Sequence, residues 1–246
     1  MTHQFRKPFR LWLLLFAAFW LQACSDDDNV AVTAPPPPPP PAMASFNVTV
    51  TNLTNAQPLS PIAVIAHQIG YTLFTVGSAA TVGLEELAEG GDNSALLAEA
   101  DANAMVVTST SGGAPIGPAG SETVSIDLLN SDRVGLRISV ATMLVNTNDA
   151  FTSVNTAVDT MAIGDVLTFD TVAYDAGTEA DTEMAADIPG PVGGGTGFDA
   201  ARDDQADRVT MHSGIVSQDD GLATSDLTEQ HRFDNPVARI SIERIN

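Results

Sequence analysis

The stretch Asp175-Ala176-Gly177-Thr178-Glu179 carries the strongest chemical signal in the chain. Two carboxylates four residues apart, with a glycine between them, can fold back toward one point on a loop. Calcium takes about 6–8 hard oxygens at roughly 2.3–2.6 Å, drawn from carboxylates, carbonyls and water. Two carboxylates are too few, so a partner is needed, and Asp149 in the loop Asn146-Thr147-Asn148-Asp149 is the candidate. The expected metal set is therefore Asp149, Asp175 and Glu179. Topology constrains this pairing. If the strand ending near 145 were followed directly by an antiparallel strand over 166–174, Asp149 and Asp175 would lie at opposite ends. A short intervening strand over Phe151 to Asn155 brings them back to one end. Two ordinary acidic loops in an acidic protein remain the alternative.

Other chemistry has little support. The chain has no G-x-S-x-G nucleophile elbow, no phosphate loop and no H-E-x-x-H. His67, His212 and His231 are too far apart in sequence for a local zinc site and read as polar contacts at strand ends. Ser60 or Ser213 could meet a histidine in space, but no spacing supports a triad, so no enzyme activity is expected. Gly194-Gly195-Thr196-Gly197-Phe198-Asp199 matches the start of a calcium-binding nonapeptide. That architecture holds its ion between stacked turns, and a single copy reads as a glycine-rich loop.

Composition narrows the classes further. The 246 residues are 44% hydrophobic and can bury a core, yet carry 10 Lys+Arg against 31 Asp+Glu. Such an acid excess excludes a nucleic-acid binder, which needs a basic face to displace counterions from phosphates. A single cysteine excludes an intrachain disulfide framework.

That cysteine lies in an address. Arg6, Lys7 and Arg10 precede an apolar run from Leu11 to Ala23, which is shorter than the roughly 20 residues of a membrane-spanning helix. The run ends in Leu21-Gln22-Ala23-Cys24, which resembles a bacterial lipobox. Residues 1–24 are thus expected to be a lipoprotein signal peptide, with Cys24 lipidated as the first residue of the mature chain and acting as its membrane anchor. An uncleaved signal anchor is the alternative. Removal of the first 23 residues takes away three basic residues and no acid, leaving 7 Arg, no Lys and a formal charge of −24. Residues 25–44 form a tether with Asp26-Asp27-Asp28 and seven consecutive prolines, Pro35 to Pro41. At about 3.1 Å per residue the prolines make a stiff spacer of roughly 20 Å. The folded body is expected over 45–246, in a bacterial cell envelope. Ser25 after Cys24 fits outer-membrane sorting.

The elements that must position the acids are mainly strands. Apolar residues alternate at Phe46-Val48-Val50, Val124-Ile126-Leu128, Val134-Leu136-Ile138-Val140 and Ala238-Ile240-Ile242. Ile62–Ala66, Tyr71–Val76, Met105–Thr108 and Val166–Tyr174 are further strand candidates, separated by Gly, Asn, Asp and Pro. Eight or so short strands predict an all-β fold, an antiparallel β-sandwich. Two short helices interrupt it. Ser78 caps the first, with Ala80, Leu84, Leu87 and Ala88 on one face and Gly90-Gly91 at its end. The second runs near Ala95 to Ala100. Asp187 to Gly197 reads as a long flexible loop.

The body resembles the spondin N-terminal domain over most of 45–246. The similar stretches are Pro58-Leu59-Ser60-Pro61 with His67, Leu73-Phe74-Thr75-Val76-Gly77-Ser78-Ala79-Ala80, Ala88-Glu89-Gly90, Tyr174-Asp175-Ala176-Gly177-Thr178-Glu179, Asn235-Pro236-Val237-Ala238-Arg239-Ile240 and Ile242-Glu243-Arg244-Ile245. The resemblance implies a C2-like sandwich with a calcium ion held by loops at one end. It places Asp149, Asp175 and Glu179 where animal members have their acidic ligands. Glu179 stands for an Asp there, Tyr174 for a Trp, and Asp149 lacks the flanking Pro and Trp. Adhesion to a matrix, glycan or protein partner follows from the animal relatives. A metal-free structural envelope lipoprotein and a secreted hydrolase are the other classes.

Overall fold

The computed structural model describes residues 38–195, 197–204 and 206–246. Cys24 and most of the tether lie outside the described residues. The compact unit runs from Pro40 to Asn246. Its elements in chain order are β1 (Met43–Asn52), β2 (Ala63–His67), α1 (Val82–Gly90), α2 (Ser94–Asp101), β3 (Val106–Ser111), β4 (Ser121–Leu129), β5 (Arg137–Met143), β6 (Ala150–Ala157), β7 (Val166–Thr171), β8 (Ala173–Asp175), β9 (Thr210–Met211) and β10 (Ala238–Arg244).

The strands form two antiparallel sheets, ordered β4-β1-β10-β7 and β3-β2-β5-β6-β8-β9. In β1 every second residue is buried, because Phe46, Val48 and Val50 face the second sheet while Asn47, Thr49 and Thr51 face outward. Their inner faces meet in one apolar core, where Phe46, Val48, Ile240 and Ile242 join Ile62, Val64, Ile138 and Val140. The fold is thus the all-β sandwich expected from the alternation.

The second sheet is also covered on its outer face. All five residues of β2 are buried, since Val64 and Ala66 point into the sandwich and Ala63 and Ile65 point at the helices. There Leu84, Leu87, Ala88 and Leu96 pack against Ala141 and Phe151. The helices therefore seal one face of a sheet.

Local chemistry moved several boundaries. Thr81, not Ser78, caps α1, accepting the Leu84 N–H at 3.2 Å. Gly91, at φ 71°, closes the helix in the left-handed conformation. Tyr71–Val76 is not a strand. The two lateral positions beside β2 are already occupied by β3 and β5, so this segment lies over the outer face, where Phe74 meets Phe151 and Tyr174 edge-on. The alternation from Val134 begins as a strand only at Arg137, after a 3₁₀ turn over Asn130–Arg133, and Val134 is exposed.

The predicted strand over 166–174 divides in two. β7 pairs with β10 in the first sheet, and β8 pairs with β6 in the second. The chain changes sheets at Val172, whose carbonyl accepts the Thr152 hydroxyl at 2.9 Å. This corner delivers Asp175 to the far side of the sandwich from β10.

Candidate metal centre

The predicted intervening strand exists as β6. It lies between β5 and β8, and Ala150 at its start pairs with Asp175 at the end of β8. Asp149 and Asp175 are thereby brought to one rim by sheet register alone.

The Asp149 loop is held from beneath. Gln57 accepts the Asn146 N–H at 3.0 Å and donates its amide to the Asn146 carbonyl at 3.1 Å. Thr147 donates to the Leu144 carbonyl at 2.6 Å and accepts the Ala150 N–H at 3.0 Å. Asn146 to Asp149 are all buried. A loop this deep has to satisfy its own polar groups, and these side chains do so.

Asp149 is fully buried, and its two oxygens differ. Oδ2 accepts the backbone N–H groups of Thr178 at 2.8 Å and Glu179 at 3.2 Å. Oδ1 has no hydrogen-bond partner among the described residues. A buried carboxylate oxygen left unmatched is costly unless a proton or a cation meets it.

Asp175 turns its Oδ1 onto the Gly177 N–H at 2.6 Å, which tightens the loop into an Asx turn. Gly177, at φ 70°, is required there, because a Cβ would also collide with the Arg208 backbone.

The third member of the cluster is Asp181. Asp149, Asp175 and Asp181 each present an oxygen, and these lie within 4.8 Å of one another. An ion at about 2.4 Å from each ligand fits between oxygens up to roughly twice that distance apart. Glu179 lies outside this trio. Its carboxylate lines a neighbouring cavity with Glu89, Thr182 and Asp187, although its backbone N–H still serves Asp149. Asp181 follows Glu179 by two residues in a segment without regular structure. The signal for Asp181 was a third acid in the same loop, but no periodicity ranks acids within an irregular segment.

Electrostatics mark the trio as strained when it carries full charge. Burial, then Asp149 and Asp181, pushes Asp175 up to about 7. Burial, then Asp204, pushes Asp181 up to about 6. Asp149 is also raised, by burial first, against the lowering effect of the Thr178 and Glu179 N–H groups.

His212, just past β9, is the nearest cationic candidate. Its Nδ1 accepts the Gly214 N–H at 3.0 Å, which places the proton of the neutral ring on Nε2. Nε2 lies 3.7 Å from Asp181 Oδ1. His212 thus faces the acids as a donor rather than as a metal ligand. Burial lowers its pKa, against the raising effect of Asp149.

The other two histidines among the described residues are local polar contacts. His67 Nδ1 donates to the Gln68 carbonyl, and its Nε2 meets the Ser139 hydroxyl, each at 2.9 Å. Both residues are fully buried beneath the outer layer. His231 accepts the Thr228 N–H at 3.0 Å. Ser60 Oγ accepts the Met143 N–H at 3.0 Å, on the seam between β2 and β5.

No curated protein matches the chain significantly. The family described as Spondin_N matches residues 52–189, a span that holds the Asp149 loop and the whole acidic loop from Asp175 to Asp187. With this match over more than half of its length, the chain belongs to the Spondin_N family.

Proposed function

We propose that the chain is a lipid-anchored envelope module that binds calcium at Asp149, Asp175 and Asp181, and that its role is binding rather than catalysis. The observation carrying this reading is the unpartnered, fully buried Asp149 Oδ1 beside two carboxylates within a common 4.8 Å. Hard oxygen donors of this kind suit calcium. The ion offsets the mutual repulsion of the three acids and locks the Asp149 loop against the 175–181 loop, stabilising the state it binds. Glu179, which the resemblance places among the ligands, lines the neighbouring cavity.

The ordered rim then contacts an extracellular matrix, glycan or protein partner, a role suggested by family membership alone. The lipobox at Cys24 and the proline tether support an anchor at the outer membrane that holds the body off the surface. The catalytic alternative gains little from Ser139 and His67, because neither side chain reaches solvent.

The deciding experiment is calorimetric melting of the wild type and Asp175→Asn, with calcium and with chelator. Calcium is expected to raise the wild-type midpoint by clearly more than that of the variant. Equal calcium responses would overturn the site, and a wild type indifferent to calcium would favour a metal-free structural module.

A further inference from the structure

Next to the aspartate trio lies a cavity of about 130 Å³, lined by the acids Glu89, Glu179, Asp187, Asp199 and Asp203 together with Thr182 and Ala201. Five of these seven residues are acids, and no basic residue among the described residues lines it. Arg202, the nearest in sequence, is engaged elsewhere by Glu85 at 2.6 Å and Asp207 at 2.8 Å.

Most of the carboxylates are tied down from one side. Asp187 Oδ2 accepts the Thr182 hydroxyl at 2.6 Å, and Asp203 Oδ1 accepts the Ala180 N–H at 2.7 Å. Asp199 Oδ1 accepts the Ala201 N–H at 3.0 Å. Glu89 projects from the last turn of α1, where its Oε2 accepts the Asp199 N–H at 2.9 Å. Two oxygens remain without any partner among the described residues, Glu89 Oε1 and Glu179 Oε2.

Glu89 is the decisive residue, since it is 1% exposed. The Thr178 hydroxyl is close enough to favour its charged form, but that hydroxyl has one proton and directs it at Asp149 Oδ2, at 3.3 Å. A buried carboxylate oxygen on a residue that lines a polar cavity, with no donor among the described residues, requires a donor or a cation from solution.

The spacing selects the kind of cation. The trio is the only group among the described residues in which three such ligands come within 4.8 Å of one another, so the acids of this cavity stand farther apart. They cannot all touch one bare ion. The cavity has room for several waters, and a divalent ion that keeps part of its hydration shell can span the gap through them. We propose that this cavity is a second divalent-cation site, distinct from the trio, in which Glu89 Oε1 and Glu179 Oε2 bind directly and Asp187, Asp199 and Asp203 hold the remaining waters. The backbone of Thr178 and Glu179 joins the two sites, because it caps Asp149 on one side while Glu179 faces Glu89 on the other.

Equilibrium dialysis of the full chain tests this by counting bound ions, with calcium and magnesium in separate arms. The variants are Asp175→Asn, Glu89→Gln, Asp203→Asn and the double variant Asp175→Asn/Glu89→Gln. Glutamine keeps the acceptor for the Asp199 N–H, so Glu89→Gln should melt in chelator no lower than the wild type. The wild type is expected to hold two ions per chain in at least one arm, each single variant at Asp175 or Glu89 one, and the double variant none. Asp203→Asn should weaken the second ion without removing the first. A wild type whose only ion vanishes in Asp175→Asn and persists in Glu89→Gln would overturn the second site and leave the trio standing. An ion kept in Asp175→Asn and lost in Glu89→Gln supports the second site even if the trio binds nothing. Two ions retained by a folded Glu89→Gln would overturn the proposal.

Discussion

Asp149 Oδ2 accepts the Thr178 N–H at 2.8 Å, across 29 residues of chain. This bond joins the loop entering β6 to the loop leaving β8, and it leaves the other oxygen, Oδ1, without a hydrogen-bond partner among the described residues. Rigid support of this kind fixes where a ligand oxygen sits before any ion arrives.

The first prediction separates the two loop acids. Asp181→Asn should remove most of the calcium-dependent rise in melting midpoint, because Asp181 completes the trio. Glu179→Gln should remove less of that rise, because Glu179 lines the neighbouring cavity rather than the trio. Calorimetry of both variants with calcium checks this, and the reverse ranking would return Glu179 to the ligand set.

Asp149 calls for two variants. Asp149→Asn keeps an acceptor for the Thr178 and Glu179 N–H groups and should lose the ion at the trio with a modest change in metal-free stability. Asp149→Ala strands both donors in a buried site and should cost about 1–3 kcal/mol more in denaturant titration.

The pH dependence has a definite sign. Burial is the main cause that holds Asp181 at about 6, Asp175 at about 7 and Glu179 at about 8. In the unfolded chain such groups ionise near pH 4. Between about pH 4 and pH 8 the folded state therefore keeps protons that the unfolded state has released, and stability falls as pH rises. His212, lowered by burial from 6.5, opposes this only on the acid side of that value, where the unfolded ring takes up a proton. The midpoint of the metal-free chain should thus fall from pH 6.5 to pH 8, and saturating calcium should flatten the slope. A rising metal-free midpoint over that interval would contradict the assignment.

Gly177→Ala should be costly despite its small size. The residue sits at φ 70°, and an added Cβ meets the Arg208 backbone, which cannot swing aside as a side chain would. The left-handed conformation alone costs roughly 1–2 kcal/mol for a residue with a Cβ. Denaturant titration should show at least that loss, with weaker calcium binding as the Asp175 turn opens.

Removal of Arg202 probes the support beneath α1. Its guanidinium meets the Glu85 carboxylate at 2.6 Å, and the Glu85 side chain is only 4% exposed. Arg202→Ala leaves that carboxylate buried and short of a donor, at a cost of about 1–3 kcal/mol in chemical denaturation. The exposed Arg239–Asp170 pair should matter far less when broken, since water replaces the partner.

The sandwich, most of its strands and the rim shared by Asp149 and Asp175 were legible in the sequence, because all three rest on local patterns. Period-two burial of Phe46, Val48 and Val50 follows from the pleat, whatever the partner strand. A strand between the two acids followed from counting chain reversals, and β6 pairs Ala150 with Asp175 accordingly. What only the tertiary structure decided was set by competition for space and by packing across distant segments. Tyr71–Val76 had strand composition but no free place beside β2. The strand after Val166 changed sheets at Val172, which no local pattern announces. Asp181 displaced Glu179 from the trio because the direction of each side chain in an irregular loop depends on its hydrogen-bond partners, and here those partners lie 29 and 30 residues away on Asp149.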